Sequence, residues 1–246
     1  SKISSAASSI SAVLKKVEES FAEVGVEPFK FPPQTKGTQT TLFPELDVVQ
    51  RIPQREGESY VEQLKRRTAE TKTLACMGLD PVLERIPLPK ENIEKSITTF
   101  YMNILHALEG ENTFPASIKP NIAFFEQYGL AGLRALKKLI DAYKEKGIPV
   151  IMDAKRGDIG KTSAAYAKSM FDYWNADAVT LIAYLGSDSL GPFFDYAKKG
   201  RGMYVLCRTS NPGATDLQNL YVQHSRNPLS TLGAKKLYEH VAQKVI

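Results

Sequence analysis

Ile148-Pro149-Val150-Ile151-Met152-Asp153-Ala154-Lys155-Arg156-Gly157-Asp158-Ile159 is an apolar run that gives way at once to two carboxylates and an amine. The first five residues read as a buried strand that delivers Asp153, Lys155 and Asp158 into one small space. Alternation along the strand end places Asp153 and Lys155 on the same face, and Asp158 follows where the chain turns toward the next helix. Charges bunched this tightly cost desolvation unless they pair. Pairing shifts proton affinities in the way that acid–base and electrostatic catalysis uses, so the run predicts chemistry rather than packing.

The segments on either side repeat the pattern. A helix over Tyr60–Thr71 leads to a strand, Leu74–Leu79, that ends at Asp80-Pro81. A helix near Glu91–Leu108 leads to a strand closing on Ser117-Ile118-Lys119-Pro120-Asn121. Leu133, Leu136, Leu139, Ile140 and Tyr143 then line one helical face, and Gly147 stops that helix before the strand at Ile148. A helix starting near Thr162 or Ser163 precedes the strand Ala178–Ile182. A short helix, Pro192–Lys199, precedes a fifth strand, Met203–Cys207, and the turn Arg208-Thr209-Ser210-Asn211-Pro212. A last helix is expected from about Ser230.

Strands that alternate with helices at intervals of about 25 to 40 residues imply parallel βα units, either wound open or closed into a barrel. The polar residues decide for the barrel. Asp80, Lys119, Asp153 with Lys155, and Thr209 with Ser210 each sit at or just past the end of a different strand, which is how a barrel assembles a site. A dinucleotide-binding sheet would carry G-x-G-x-x-G in its first turn, and the chain has none. The expected fold class is therefore α/β, a (β/α)8 TIM barrel with about five βα units between Leu74 and Ile246. The remaining three units are expected outside this chain, and an exposed edge after the fifth strand predicts pairing with a complementing C-terminal segment.

Residues 1 to 58 are of another kind. Ile10, Val13, Leu14, Val17 and Phe21 recur at helical spacing, and about residues 31 to 57 are rich in Pro, Thr and Gln without either period. They read as an amphipathic helix and an arm ahead of a barrel domain over residues 59 to 246.

The net charge of +5 is shared unevenly. Residues 1 to 58 hold seven basic and eight acidic residues, leaving 25 against 19 for the rest. The basic residues are scattered, with no polybasic run interleaved with aromatics, so an anionic small molecule fits them better than nucleic acid. Cys76 and Cys207 fall in strand-like segments and are expected to be buried thiols of a cytoplasmic protein rather than a disulfide framework. His106, His224 and His240 have no metal-ligand spacing. No apolar run reaches the roughly 18 residues of a membrane span, and the serine-rich start lacks a signal peptide's apolar block.

Four motifs together carry a resemblance: Gly78-Leu79-Asp80-Pro81; Ile118-Lys119-Pro120-Asn121 followed by Ala123-Phe124-Phe125-Glu126; Asp153 to Ile159; and Thr209-Ser210-Asn211-Pro212. From about Ser59 to Ile246 the chain resembles the orotidine 5′-phosphate decarboxylase family. The Lys-Arg-Gly-Asp-Ile form and the phenylalanine-rich block resemble its branch in some bacteria and parasites. The resemblance implies that Lys155 is the general acid protonating C6 of the pyrimidine as CO2 leaves, and that Asp153 flanks the substrate carboxylate and holds Lys155. It implies that Asp158, with Ile159 and Thr162, reaches across a homodimer interface into the partner's site. Asp80 and Lys119 would bind ribose hydroxyls, Asn121 would be a further substrate-binding residue, and Ser210, or its neighbour Thr209, would contact the pyrimidine. No metal or organic cofactor takes part in the family's reaction.

The chain departs from that pattern in two places. Ile182-Ala183 precede Tyr184-Leu185-Gly186 where the family commonly has Asn-Pro. The family's phosphate grip comes from the seventh and eighth units, which lie outside the five found here. Taken singly, Asp80 reads as a helix cap, Lys119 as a solvated charge and Thr209 to Pro212 as a turn. Two other readings stand beside the first. One is a phosphosugar decarboxylase on the same barrel with a D-x-K-x-x-D run and Mg²⁺. The other is a non-catalytic assembly module whose residues 1 to 58 are the working part.

Overall fold

The computed structural model describes residues 57–90, 92–222 and 234–245. The helix and arm expected over residues 1 to 56, His224 and the start of the expected last helix lie outside the described residues. The chain divides into two compact units, which part between Met152 and Asp153.

In the first unit, Ser59 fixes the start of helix α1 (Tyr60–Thr71) through a capping box: its hydroxyl accepts from Glu62 N–H, and the Glu62 carboxylate accepts from Ser59 N–H at 2.9 Å. The buried residues of α1 are Tyr60, Gln63 and Arg67. Arg67 is wholly enclosed, and burial pulls its guanidinium below the usual arginine range. Strand β1 (Cys76–Leu79) runs parallel to β2 (Ser117–Pro120), with Gly78 opposite Lys119 and Leu79 opposite Pro120. On the far edge of β2, Ile118 bridges Val150 in the same sense.

Helix α2 (Ile93–Gly110) leads into β2, a short helix α3 (Ile122–Glu126) leaves it, and α4 (Gly129–Glu145) follows. Ile97, Tyr101 and Leu105 of α2 and Leu136, Leu139, Ile140 and Tyr143 of α4 make the core of this unit. The Tyr143 hydroxyl donates to Tyr101 O at 3.0 Å, which satisfies a polar group that burial would otherwise leave stranded.

Glu94, in the first turn of α2, receives Arg134 Nε at 2.6 Å and Lys138 Nζ at 2.8 Å from α4. These hydrogen bonds hold its carboxyl below the usual glutamate range. A carboxyl lowered in the folded state contributes stability above its unfolded pKa, and the contribution fades as pH falls through the folded value. Glu94→Gln is therefore expected to lower the melting temperature at neutral pH and to leave it unchanged at pH values below both pKa values. Thermal melts from pH 7 to pH 2 check this.

The second unit holds the rest of strand β3 (Ile151–Arg156), then β4 (Ala178–Ile182) and β5 (Gly202–Leu206), in the order β3-β4-β5. β4 and β5 are parallel, from Ala178 opposite Gly202 to Ile182 opposite Leu206. Helix α5 (Gly160–Lys168) passes into a π-helical turn, Ser169–Tyr173, and α6 spans Ser187–Ala197. Met170, Phe171, Trp174, Val179, Leu181 and Phe193 form the core, with Phe171 stacked on Tyr196 at 4.9 Å. After β5 come a short helix, α7 (Ala214–Leu217), a two-residue antiparallel ribbon of β6 (Tyr221–Val222) with β7 (Lys235–Lys236), and α8 (Leu237–Val245).

Four expectations are corrected. The strand expected at Ile148–Met152 begins at Ile151 and continues to Arg156, so Asp153 and Lys155 lie within it, while Asp158 lies beyond it. Helix α5 starts at Gly160 rather than Thr162 or Ser163. Helix α6 starts at Ser187, with Pro192 inside it: the ring removes one backbone bond, and buried Leu190 and Phe193 hold the helix on either side. Cys76 is exposed and Cys207 half-buried, and both are free thiols. Only Leu79 of β1 is buried, because among the described residues β1 is paired on one edge alone. No helix among the described residues is long and apolar enough to cross a membrane.

Candidate active site

In the second unit, Lys155 Nζ lies 2.6 Å from Asp153 Oδ1. The Asp153 side chain is nine-tenths buried and that of Lys155 is half-exposed. A carboxylate held at the wall thus anchors an ammonium that reaches outward. Alternation brings the two residues to one face, as the sequence predicts, but the strand is not regular. Lys155 has φ +45°, a left-handed conformation that costs a non-glycine residue about 1–2 kcal/mol.

What the sequence reading missed is Thr180, the one polar residue of β4. Its Oγ1 accepts from Ala154 N–H at 3.0 Å and Lys155 N–H at 2.9 Å, and its hydroxyl donates to Asp153 Oδ1 at 3.0 Å. Successive N–H groups of a flat strand point in opposite directions, so their convergence on one oxygen goes with the local departure from regular strand geometry that the positive φ records. The sequence signal was a buried hydroxyl inside an apolar run, Ala178-Val179-Thr180-Leu181-Ile182.

Asp158 does not join this pair. Its Oδ1 accepts from Ile159 N–H at 2.8 Å, ahead of α5. Ile159 is 56% exposed, and Thr162 is exposed on the first turn of α5. Gly157 lets the end of β3 come close to β4: a Cβ there would lie 3.1 Å from Ile182 O and 3.3 Å from Ile182 Cβ. The strand-four position at which the sequence departs from the family pattern is thus spent on packing.

Past β5, Thr209 is tied into its own turn. Its N–H donates to Gln218 Oε1 at 2.7 Å, and its Oγ1 accepts from Gln218 Nε2 at 2.9 Å and donates to Asn211 Oδ1 at 2.6 Å. Ser210 is exposed. Of the two candidates for a pyrimidine contact, Ser210 therefore has its hydroxyl on the surface while that of Thr209 is committed; Gln218 was not foreseen.

In the first unit, Asp80 and Asn121 follow the C-terminal ends of β1 and β2, whose parallel register places Leu79 opposite Pro120. Asn121 N–H donates to Leu79 O at 3.2 Å, and the Asn121 side chain caps α3 by accepting from Ala123 N–H at 3.2 Å. Lys119 is half-buried in β2. The pKa of the buried Tyr101 phenol is pushed up chiefly by burial and further by the charge of Asp80, which places it near that corner. An acid, an amine and an amide at adjacent strand ends suit recognition of vicinal hydroxyls.

Among the described residues no group of three or more His, Cys, Asp or Glu is placed to hold a metal ion. His106 is exposed on α2, and His240 Nε2 lies 3.1 Å from Val222 O, where it ties α8 to the ribbon.

Parallel strands joined by helices, with ionisable residues at the strand ends, define an α/β fold of the TIM-barrel type. The family model "Orotidine 5'-phosphate decarboxylase / HUMPS family" matches residues 110–240. The chain belongs to that family. It is 44% identical over 170 residues to an orotidine 5′-phosphate decarboxylase of Roseiflexus castenholzii, covering 68% of this chain and 59% of that protein. It is 43% identical over 174 residues to that of Thermomicrobium roseum, covering 70% and 59%. The solved structure of Leishmania donovani OMP decarboxylase superposes with a TM-score of 0.60 at 38% identity, covering 75% of this chain and 64% of that one. The chain thus spans about three-fifths of the length of these curated relatives. Bacterial and parasite relatives accord with the branch that the Lys-Arg-Gly-Asp-Ile run resembles.

Proposed function

We propose that this protein decarboxylates orotidine 5′-monophosphate to UMP in the cytoplasm, with Lys155 as the proton donor. The Asp153–Lys155 pair carries the reading: an ammonium 2.6 Å from a buried carboxylate is held at a fixed place and presented outward. When the C6–carboxylate bond breaks, its electron pair stays on C6, CO2 departs, and an N–H of Lys155 delivers the proton that makes UMP. A positioned ammonium both stabilises the developing carbanion and quenches it. Asp153 next to the substrate carboxylate disfavours the bound reactant and holds the amine.

The remaining roles follow family membership. Asp80, Lys119 and Asn121 contact the ribose side, and Ser210, braced by the Thr209–Gln218 turn, contacts the pyrimidine. Asp158, Ile159 and Thr162 serve the partner's site in a homodimer; the exposed apolar side chain of Ile159 beside an exposed threonine supports a covered surface there. The phosphate contacts come from units beyond the five present here, within a closed (β/α)8 barrel of which residues 59 to 246 are part. A C-terminal segment completes that barrel, and residues 1 to 58 form a separate arm.

The protein as its own cells make it should convert OMP to UMP with release of one CO2, read by nucleotide chromatography and by trapping of the gas. Turnover that survives EDTA is expected. Absence of turnover would sink the reading, and turnover abolished by EDTA would favour a metal-dependent phosphosugar decarboxylase.

A further inference from the structure

We infer that Thr180 is the positioning residue of the Asp153–Lys155 pair: one hydroxyl sets both the left-handed backbone at Lys155 and the orientation of the Asp153 carboxylate. A threonine hydroxyl can donate once and accept twice, and here every capacity is used, by Ala154 N–H, Lys155 N–H and Asp153 Oδ1. The two backbone bonds compensate a conformation that Lys155 would leave if released to a regular strand. The third bond falls on the same carboxylate oxygen that receives Lys155 Nζ. Thr180 therefore fixes the ammonium from both ends, through the chain that bears it and through the acid that holds it.

Burial makes this grip specific. Thr180 and Asp153 are each less than a tenth exposed, so bulk water does not compete for these bonds, and a side chain that fills the threonine's volume without its hydroxyl leaves them unmade. Valine has the same shape but would leave two N–H groups and one carboxylate lone pair facing a methyl group. Serine keeps the hydroxyl, and alanine removes it but leaves room for a water molecule.

The inference rests on the proposed decarboxylation for its kinetic test and on geometry alone for its structural one. In the complete protein, Thr180→Val should lower kcat by about 100-fold, the scale of an ångström-level misplacement of a reacting group. KM should stay within about threefold, because Thr180 acts through groups engaged in the transition state. Thr180→Ala should fold and lose roughly tenfold, with water partly replacing the hydroxyl. Thr180→Ser should remain close to the natural protein. A kcat retained within about threefold in the valine and alanine variants, or a serine variant as impaired as valine, would overturn the role.

Crystal structures of the valine and alanine variants read the same question without turnover. Lys155 should leave positive φ and its Nζ should part from Asp153. Retention of both features overturns the inference whatever the enzyme does. If the unsubstituted protein fails to turn over OMP, the functional proposal falls and these structures alone decide the role of Thr180.

Discussion

Lys155→Ala is expected to abolish decarboxylation, with kcat reduced by about 10⁴-fold or more, since the change removes proton delivery and charge stabilisation in one step. Each effect alone is worth roughly 10² to 10⁴ in rate when a single positioned group is removed. Folding should survive: the Lys155 side chain is half-exposed, and among the described residues its ion pair is with Asp153, two residues away. The loss of that pair would leave Asp153 with its bond from Thr180. Nucleotide binding should persist, because the contacts assigned to ribose and base lie on other strands. A variant that binds UMP as the natural protein does and releases no CO2 fulfils the prediction. Turnover within tenfold of the natural protein would remove Lys155 from the proton-transfer role.

The parts of the fold legible in the sequence are those where local signals agree with packing. Ser59 and Glu62 mark the start of α1 chemically, and the apolar stripe from Leu133 to Tyr143 could bury only one face of a helix. The run Ala178–Ile182 was equally plain, because a continuous apolar segment of that length has few uses besides a buried strand. Proline prefers the first turn of a helix, yet α6 begins at Ser187 with Pro192 inside it, because burial of Leu190 and Phe193 prevails over that local preference. The apolar residues alone end β3 at Met152, but the strand continues through Asp153 to Arg156 beside β4.

The site divides in the same way. Asp153 and Lys155 were legible because alternation brings residues two apart to one face. The left-handed backbone at Lys155 and the hydroxyl that holds it were not, since they depend on which residue of β4 lies alongside, and register between strands is not a local property. Gln218 was hidden for the same reason, nine residues from the Thr209 it braces. The burial expected of Cys76 failed because a strand-like sequence states what a segment can pack against and not how many neighbours cover it.

Gly132→Ala should be the most damaging small change in the first unit. A Cβ at Gly132 would stand 2.0 Å from Phe125 O and 2.9 Å from Phe125 C, both backbone atoms of α3, so no side-chain rotation can relieve the clash. Phe125 is itself fully buried, which leaves α3 nowhere to retreat without opening the core. Overpacking of a rigid interior costs about 1–3 kcal/mol and more where backbone must move. The upper end applies here, a fall in melting temperature of about 10 °C for a chain of this size. Gly110→Ala is the control: Gly110 ends α2 with nothing within 4 Å of the added carbon, so that change should be neutral or stabilise by up to about 1 kcal/mol. The consequence reaches the site because α3 begins immediately after Asn121, whose side chain caps it. A helix pushed away by the new methyl carries the ends of β1 and β2 with it, so Gly132→Ala should also weaken nucleotide binding at temperatures where the protein is still folded. Melting curves with and without UMP separate the two effects. Equal stability of the Gly132 and Gly110 variants would show that α3 and α4 do not pack as closely as this contact requires.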